Sequence, residues 1–439
     1  MHDTETSSLT SSRNGGVRVQ RVLLKESESL RSSRKDSSSL VVAAAIGLGN
    51  AWGPYQQAGV TVGHAVVLVI APVALAAAWR WKMARWNLLV LLVWLVGATF
   101  TEVAVGDSAH DMVLVLSRPF AVLVSLCGAM WALQCRPAVV RVYVVAFVAG
   151  LTLNVSLWLR IHPTTDAWKY GYGPVVSLAV VLAAFALLTR RKRAIATLLV
   201  ISVALVSLFL GFRSEFLIVC SAGVVAMLAG RREARISWKR TLLVVVGLIS
   251  LVAAVTSTYG YLASSGKLGA EQQYRWEGQS QVEGGVLLGA RPEIAASYVI
   301  IKESPLMGRG LVPDVSHKTR SEFLGQLRAG DADFNERREN YYFGKGLYLH
   351  SVLFQLWAET GIIALPGILL PVLLVLLALV AAVKGGSGAY ALLFAFLFAQ
   401  LGWDLLFSPW PRLEGLYLGT AAAAVLYRGT WMWSRVNAP

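Results

Sequence analysis

The chain has 439 residues, of which 56% are hydrophobic and only 15% are charged. Soluble domains carry about 25% charged residues, so this composition, with a mean hydropathy of +0.58, excludes a disordered chain and favours a membrane protein. The formal net charge of +15 therefore indicates basic cytoplasmic loops, and we expect no nucleic-acid partner.

Residues 1–38 form a polar leader with ten Ser and mixed charges, which predicts a disordered cytoplasmic tail. Twelve apolar segments follow, and a transmembrane helix needs about 20 such residues. They lie at 39–52, 58–79, 86–105, 113–135, 138–158, 172–189, 194–211, 213–229, 240–262, 362–383, 388–407 and 414–433. The sequence predicts an all-α polytopic membrane protein with about 12 transmembrane helices, although it leaves open whether 39–52 is a full span.

The basic residues predict the orientation of this protein in the membrane. With the N-terminus inside, 24 of the 40 Lys and Arg fall in cytoplasmic segments and four in short outer loops, which satisfies the positive-inside rule. We expect anionic membrane lipids to contact the cytoplasmic run RRKR at 190–193. The predicted regions are the tail 1–38, transmembrane helices 1–9 in 39–262, an extracytoplasmic loop at 263–346, an interfacial helix with transmembrane helices 10–12 in 347–433, and a cytoplasmic tail at 434–439.

The junction GFRSEFL, at 211–217, places two charged residues at the predicted outer lipid boundary. One interpretation is that Arg213 reaches to the interface or pairs locally with Glu215. The other is that Arg213 faces a cavity that holds an anion, because a guanidinium is suited to binding phosphate groups.

Two further segments follow in the long outer loop. In GARPEIAASYVIIKESPLMGRG, at 289–310, Arg291 begins a predicted helix that ends at Ser304-Pro305, and two glycines then make a turn. A surface helix lying on the membrane is the alternative interpretation. In LYLHSVLFQLWAETGIIAL, at 347–365, His350 starts a helix predicted over 347–360, and Gly361 is a predicted C-cap.

Other polar residues are scattered, and structural pairing is the favoured interpretation for them. An Arg118–Asp404 pair is possible but cannot be inferred from sequence. The six His show no ligand spacing, and the three Cys lie in apolar runs, so we expect no metal site, no disulfide framework and no cofactor.

Taken in order, these segments resemble the O-antigen ligase and O-antigen polymerase superfamily of bacterial membrane glycosyltransferases. LHSVLFQLWAETGIIAL is similar to that family's His-Asn…Leu-Ala-Glu-Thr-Gly stretch, with Ser351 where Asn is usual and Trp357 interrupting the Leu-Leu-Ala run. GFRSEFL is similar to its Ser-Arg-Gly stretch, with Phe212 and Ser214 on either side of the arginine. The motifs that carry the resemblance cover 211–217 and 289–365, and the similar arrangement of twelve predicted spans covers most of the chain.

The resemblance implies a GT-C-like fold and a metal-independent glycosyltransferase at the outer face of the cytoplasmic membrane. A polyprenyl-diphosphate-linked glycan would be the donor, and a hydroxyl of a glycan or lipid acceptor would attack it. Arg213 and Arg291 would stabilise the leaving diphosphate, and His350 would take the proton of the acceptor. A mobile loop at 312–345 would cover the site. The predicted substrate-binding residues are Arg118, Arg160, Glu215, Arg309 and Glu359.

Three other functions stay open at this point. A metal-using glycosyltransferase fed by a polyprenyl monophosphate usually carries paired acids in its first outer loop, and GPYQQ at 53–57 has none. A lipid-linked glycan transporter or flippase would have symmetric halves and charges near the bilayer midplane. A scaffold for envelope assembly is the third, and the sugar, the acceptor and the oligomeric state are not determined by the sequence.

Overall fold

The structure is a computed structural model in which most of the chain is described. It describes residues 37–52, 60–80, 82–106, 108–133, 137–161, 167–229, 238–280, 292–311, 315–330, 349, 351–384, 388–408, 410 and 414–426. Over these ranges the chain is 87% helical and has no strand, which confirms the predicted all-α class.

The helices coincide with the predicted apolar segments, and four more lie in or beside the long loop. In chain order they are α1 (Ser37–Asn50), α2 (Val62–Val69), α3 (Ala71–Trp79), α4 (Lys82–Val105), α5 (Ala109–Leu133), α6 (Pro137–Ile161), α7 (Gly173–Thr189), α8 (Arg193–Phe209), α9 (Arg213–Ala229), α10 (Trp238–Ser264), α11 (Ala270–Ser280), α12 (Pro292–Glu303), α13 (His317–Gly330), α14 (Val352–Thr360), α15 (Leu365–Lys384), α16 (Gly388–Phe407) and α17 (Glu414–Leu426). A short π-helical turn, Trp168–Tyr172, precedes α7.

Within the described part of the chain, four helices are long and apolar enough to cross a membrane by themselves: α4, α5, α6 and α16. The pair α2 and α3 makes a fifth candidate if it is one broken span. Helices α1, α7 and α8 are apolar but shorter. The molecule therefore has the helices of a membrane protein.

The segment 58–79 differs from the prediction of one continuous span. It forms two helices, α2 and α3, that bend by 78° at a break. The cause is local, because Pro72 is in the first turn of α3 and has no N–H to donate to the carbonyl of Leu68. Ile70 lies at the break with φ −102° and ψ 11°, outside the helical region.

Helix α16 lies at the centre of the bundle and packs against α7, α9, α15 and α17. Phe394, Phe396 and Phe398 are all fully buried, although residues i and i+2 of a helix point to nearly opposite sides. A helix that is apolar on every side must be enclosed by others. Gln400 and Asp404, near its C-terminal end, are accordingly buried inside the bundle.

Outside this bundle, α12, α13 and α14 share a second, smaller apolar cluster. Its members are Ile300, Ile301, Phe323, Leu324, Leu349 and Ala358. Helix α12 ends at Glu303, as predicted, but it buries Val299 and its neighbours against α13 and α14, which differs from a helix lying alone on a membrane. Helix α13 lies inside the segment that was predicted to be a mobile loop; 331–348 is outside the described residues.

Candidate functional site

The turn after α12 crosses the C-terminal end of α14, and two glycines make this crossing possible. Gly308 has φ 77° and Gly361 has φ 69°, values that side chains rarely adopt. A Cβ atom on Gly308 would lie 2.3 Å from the carbonyl oxygen of Glu359, and one on Gly361 would lie 2.3 Å from that of Leu306. Neither glycine could therefore carry a side chain unless the two backbones moved apart.

Hydrogen bonds hold this crossing together. The backbone N–H of Arg309 donates to the carbonyl of Ala358 at 2.9 Å, and that of Gly310 donates to the carbonyl of Glu359 at 3.0 Å. These bonds satisfy carbonyl groups that the end of α14 would otherwise leave without partners. The segments ESPLMGRG and AETG, which are about 50 residues apart in the sequence, thus form one hydrogen-bonded unit.

Thr101, near the end of α4, joins this unit to the bundle. Its hydroxyl lies 2.6 Å from the carbonyl oxygen of Met307 and 3.2 Å from that of Thr360, one on each side of the crossing. The side chain is fully buried. The role of Thr101 could not be predicted from the sequence, since a threonine in an apolar helix gives no signal by itself.

Arg118 and Glu359, both predicted to bind substrate, form a buried ion pair. Their exposed fractions are 3% and 0%. Glu359 also accepts a hydrogen bond of 2.9 Å from Gln355, and the guanidinium of Arg118 lies 5.8 Å from the ring centre of Trp410. Arg118 is thus an ion-pair partner of Glu359, and the pair ties α14 to α5.

Glu215 is fully buried in α9, which packs against α16. Ser177 and Asp404 are its polar neighbours, and Asp404 is near enough to interact with it electrostatically. Asp404 in turn accepts hydrogen bonds from Gln400 at 3.2 Å and from Ser408 at 2.9 Å. This interface therefore places two carboxyl groups inside the bundle.

Arg213, the first residue of α9, points away from Glu215. The left-handed residue Gly211, with φ 77°, ends α8 and lets the chain turn directly into α9. The Arg213 guanidinium lies over the ring of Tyr259, 4.5 Å from its centre, and its Nη2 donates to Oε1 of Gln279 at 3.1 Å. The side chain is half-buried, so this cation faces α10 and α11 at the edge of the bundle.

Two other predicted substrate-binding arginines lie nearer the surface. Arg309 forms an ion pair of 3.0 Å with Glu303, and its side chain is 32% exposed. Because its backbone is part of the crossing, this guanidinium is held next to the end of α14. Arg160 is exposed in the last turn of α6, and no contact in the described part of the chain joins it to the other predicted residues.

His350 and Arg291 lie outside the described residues, so the two central predictions about them stay predictions. Their neighbours are described. Helix α14 begins at Val352, later than the predicted 347, and Ser351 caps it by accepting a hydrogen bond from the N–H of Phe354 at 3.4 Å. His350 therefore precedes the cap of α14.

Several polar residues of this region were missed, although a signal for some of them exists. Gln355 and Glu359 are four residues apart, as are Gln400 and Asp404, and each pair is hydrogen-bonded on one face of a helix. Polar residues at this spacing within apolar segments indicate a shared buried network. Tyr259 and Gln279 carry no such signal, because they contact Arg213 from other helices.

The polar groups gather at one end of the bundle, where α4 and α16 end and α5 and α9 begin, and we call this the polar end. No three His, Cys, Asp or Glu among the described residues are placed to hold a metal ion. Comparison with models of known protein families and with curated proteins finds no match.

Proposed function

We propose that the protein is a metal-independent glycosyltransferase that moves a glycan from a polyprenyl diphosphate to an acceptor hydroxyl at the outer face of the cytoplasmic membrane. It would be of the O-antigen ligase or surface-polysaccharide polymerase type, with about twelve transmembrane helices in a GT-C-like arrangement. The acceptor would be a glycan or a lipid. The proposed reaction uses no bound cofactor.

The observation that carries the proposal is the crossing of ESPLMGRG with AETG at the polar end. These segments carry the resemblance, and their contact holds Arg309 at the C-terminal end of α14, the helix whose N-terminal cap, Ser351, follows His350 in the sequence. A backbone approach that only glycine allows at two positions, joined to the bundle by a buried threonine, supports a positioning role for this turn.

The arginines fit the chemistry of the proposed reaction. As the bond from the anomeric carbon to the diphosphate oxygen breaks, negative charge develops on the diphosphate, and guanidinium groups held in place can stabilise it. Arg213 is half-buried and stacked, and Arg309 is partly exposed. The acceptor oxygen forms the new bond, and its proton passes to a base, for which His350 is our candidate.

A transfer assay with purified protein in lipid nanodiscs tests this function. The donor is a glycan on undecaprenyl diphosphate, the acceptor is a second lipid-linked glycan or a lipid core, and EDTA is present throughout. We expect a longer glycan product together with released undecaprenyl diphosphate. Absence of both products with every acceptor class, from protein that is folded, would contradict the proposal, and a requirement for divalent metal would contradict its mechanism.

A second candidate, transport of a lipid-linked glycan, is favoured by one specific observation. Helices α2 and α3 form a broken pair, and the N-terminus of α2 is held by a buried network in which Thr61, His64, Asn50 and Ser125 are hydrogen-bonded. Broken helices with polar groups inside the bundle are typical of transporters. Movement of a fluorescent lipid-linked glycan across vesicles containing the protein, without any transfer product, would establish this function instead.

A further inference from the structure

Glu215 and Asp404 are two acidic residues that the bundle encloses at the polar end. Glu215 is 0% exposed, and Asp404 is 6% exposed. Glu215 is the third residue of α9, and Asp404 is the fourth from the end of α16. Both therefore lie about one helical turn inside the polar end. Helices α9 and α16 pack closely enough for the two carboxyl groups to interact electrostatically.

The carboxyl group of Glu215 has no aligned hydrogen-bond donor. Neither of its oxygens is hydrogen-bonded within the described part of the chain, and the same is true of the hydroxyl of Ser177 on α7, which is also fully buried. This hydroxyl lies beside the carboxyl group without the geometry of a hydrogen bond. Buried polar groups in proteins nearly always have partners, so these three oxygens indicate a ligand between them.

The helices around Glu215 bring no basic side chain to these oxygens. Helices α7, α8, α15 and α16 pack against α9, and their only basic residues, Arg193 and Lys384, lie at the helix ends away from the polar end. Arg213, on α9 itself, points towards α10. Tyr417 of α17 is near both carboxyl groups, but a phenol carries no positive charge. An ionised Glu215 would thus be a buried charge without a compensating group on these helices, which is strongly unfavourable.

One positive charge would complete this arrangement. Two carboxyl groups close together in an apolar interior do not both stay ionised without a cation near them. Asp404 already accepts hydrogen bonds from Gln400 and Ser408, which stabilise its negative charge, so the charge that needs compensation is that of Glu215. A proton and a sodium ion both meet this need, because each is a small monovalent cation that binds to carboxylate oxygens.

We propose that Glu215, with Asp404 beside it, is the binding site for one small monovalent cation, a proton or a sodium ion. Because the site lies about one turn from the start of α9, the cation exchanges with the solution at the polar end. Buried carboxyl groups inside membrane proteins are typical of proton relays and ion pathways. This inference goes beyond the proposed function, since no step of glycan transfer uses the cation.

Dicyclohexylcarbodiimide, an apolar reagent that modifies protonated carboxyl groups, tests the site on the full-length protein in lipid nanodiscs. Mass spectrometry locates the adducts at increasing pH, with sodium chloride or choline chloride at the same ionic strength. In choline chloride we expect an adduct on Glu215 that falls by about tenfold per pH unit once the proton is lost. Sodium chloride gives the same labelling if the site takes only protons, and it reduces the labelling if sodium ions displace the proton.

A second measurement does not depend on access of the reagent to the interior. A cation that only the folded protein holds stabilises the fold, so in choline chloride the native melting temperature should fall as the pH rises above roughly 4.3, where glutamates of the unfolded chain are ionised. Glu215→Gln is neutral at every pH and should lack this part of the fall. Glu322→Gln, which removes an exposed carboxyl group from α13, is the matched control and should keep it. Sodium chloride should restore the native melting temperature if the site binds sodium ions.

Asp404→Asn tests the second carboxyl group of the site. Removing the negative neighbour weakens the hold on the cation, so the labelling of Glu215 should be lost at a lower pH than in the native protein. An unchanged pH dependence in this variant would remove Asp404 from the site. Absence of the Glu215 adduct, together with the same pH dependence of melting in the native protein and in Glu215→Gln, would overturn the inference. Neither measurement contains glycan, so both are independent of the proposed transfer.

Discussion

Arg213 is the residue whose environment is most readily tested. Its guanidinium is stacked on Tyr259 and bonded to Gln279, so its position is set by other helices. We predict that Arg213→Ala abolishes transfer without loss of folded protein. Arg213→Lys should restore little activity, because an ammonium is a point charge and cannot donate from a planar fork. Transfer rate and size-exclusion profile are the two measurements.

The control for this prediction is Arg80→Ala, which removes an exposed arginine after α3 and should leave the transfer rate unchanged. If Arg213→Ala has native activity, or if its remaining activity depends on added divalent metal, Arg213 does not hold the diphosphate.

His350 is tested through the pH dependence of the rate. We predict that His350→Ala reduces the transfer rate by roughly 100-fold or more, the scale for losing a positioned acid or base. Donor binding should change little, since the arginines hold the diphosphate. If His350 is the base, protonation disables it, so the native rate should fall as the pH drops below roughly 6.5.

The alternative is that His350 only packs near the start of α14. His350→Gln keeps a similar size and a hydrogen-bonding group, so under this alternative it should have a normal rate and the native pH profile. Under our prediction it is slow, and it lacks the fall at low pH.

At the scale of elements, the Arg118–Glu359 pair links α5 to α14. Glu359→Gln leaves the Arg118 guanidinium buried without its carboxylate, and we expect a loss of about 3–5 kcal/mol in the free energy of unfolding. The double variant Arg118→Met with Glu359→Gln removes the buried charge, so it should recover most of the lost melting temperature. Because the pair is neutral overall, we also expect this double variant to transfer glycan within a few-fold of the native rate.

Melting temperature and transfer rate together decide the role of this pair. A double variant that is stable but inactive would show that Arg118 contacts substrate, as its position in the sequence first suggested. A double variant as unstable as Glu359→Gln would mean that the buried charge is not the cause of the instability.

The crossing of the α12 turn with α14 gives a prediction about glycines. Gly361→Ala would force a side chain into a backbone region used almost only by glycine, and into the carbonyl of Leu306, at a cost of about 1–3 kcal/mol or more. We expect a lower melting temperature. We also expect the transfer rate to fall by more than the loss of folded protein explains, since the crossing positions Arg309.

Gly325→Ala in α13 is the matched control. No atom lies near its new Cβ, so helix propensity should stabilise it by up to about 1 kcal/mol. Similar rates for the two variants would exclude a positioning role for the crossing.

The elements of this fold could largely be predicted from sequence, whereas the contacts between them could not. Proline and glycine mark the observed ends correctly: α12 stops before Ser304-Pro305, and Gly361 caps α14. Pro72 carries a signal for the break between α2 and α3, which the prediction of one continuous span at 58–79 did not use. The Arg118–Glu359 pair joins residues 241 positions apart, and helical periodicity defines only the face on which each residue lies.

At the scale of the whole molecule, the polar end and the cytoplasmic tails must lie on opposite sides of the membrane for the proposed reaction. The described helices include four to five candidate spans, and the predicted orientation rests on the distribution of basic residues, 24 in segments predicted to be cytoplasmic against four in predicted short outer loops. Two exposed serines can show on which side of the membrane the polar end lies. Ser265 directly follows α10, whose last turns include Tyr259, and Ser321 lies in α13, which packs on α12.

We therefore predict that a single cysteine at Ser265 or at Ser321 reacts with an impermeant thiol reagent on intact cells. The background variant has Cys127, Cys135 and Cys220 replaced, so that only the new thiol is labelled. Ala194→Cys, exposed beside the basic run at 190–193, is the opposite control and should react only after lysis. Because Ser265 and the Arg213 site are on the same end of α10, labelling of both loop positions only after lysis would place Arg213 in the cytoplasm. A donor whose diphosphate lies at the outer face could then not contact Arg213, and this outcome would contradict the proposed reaction.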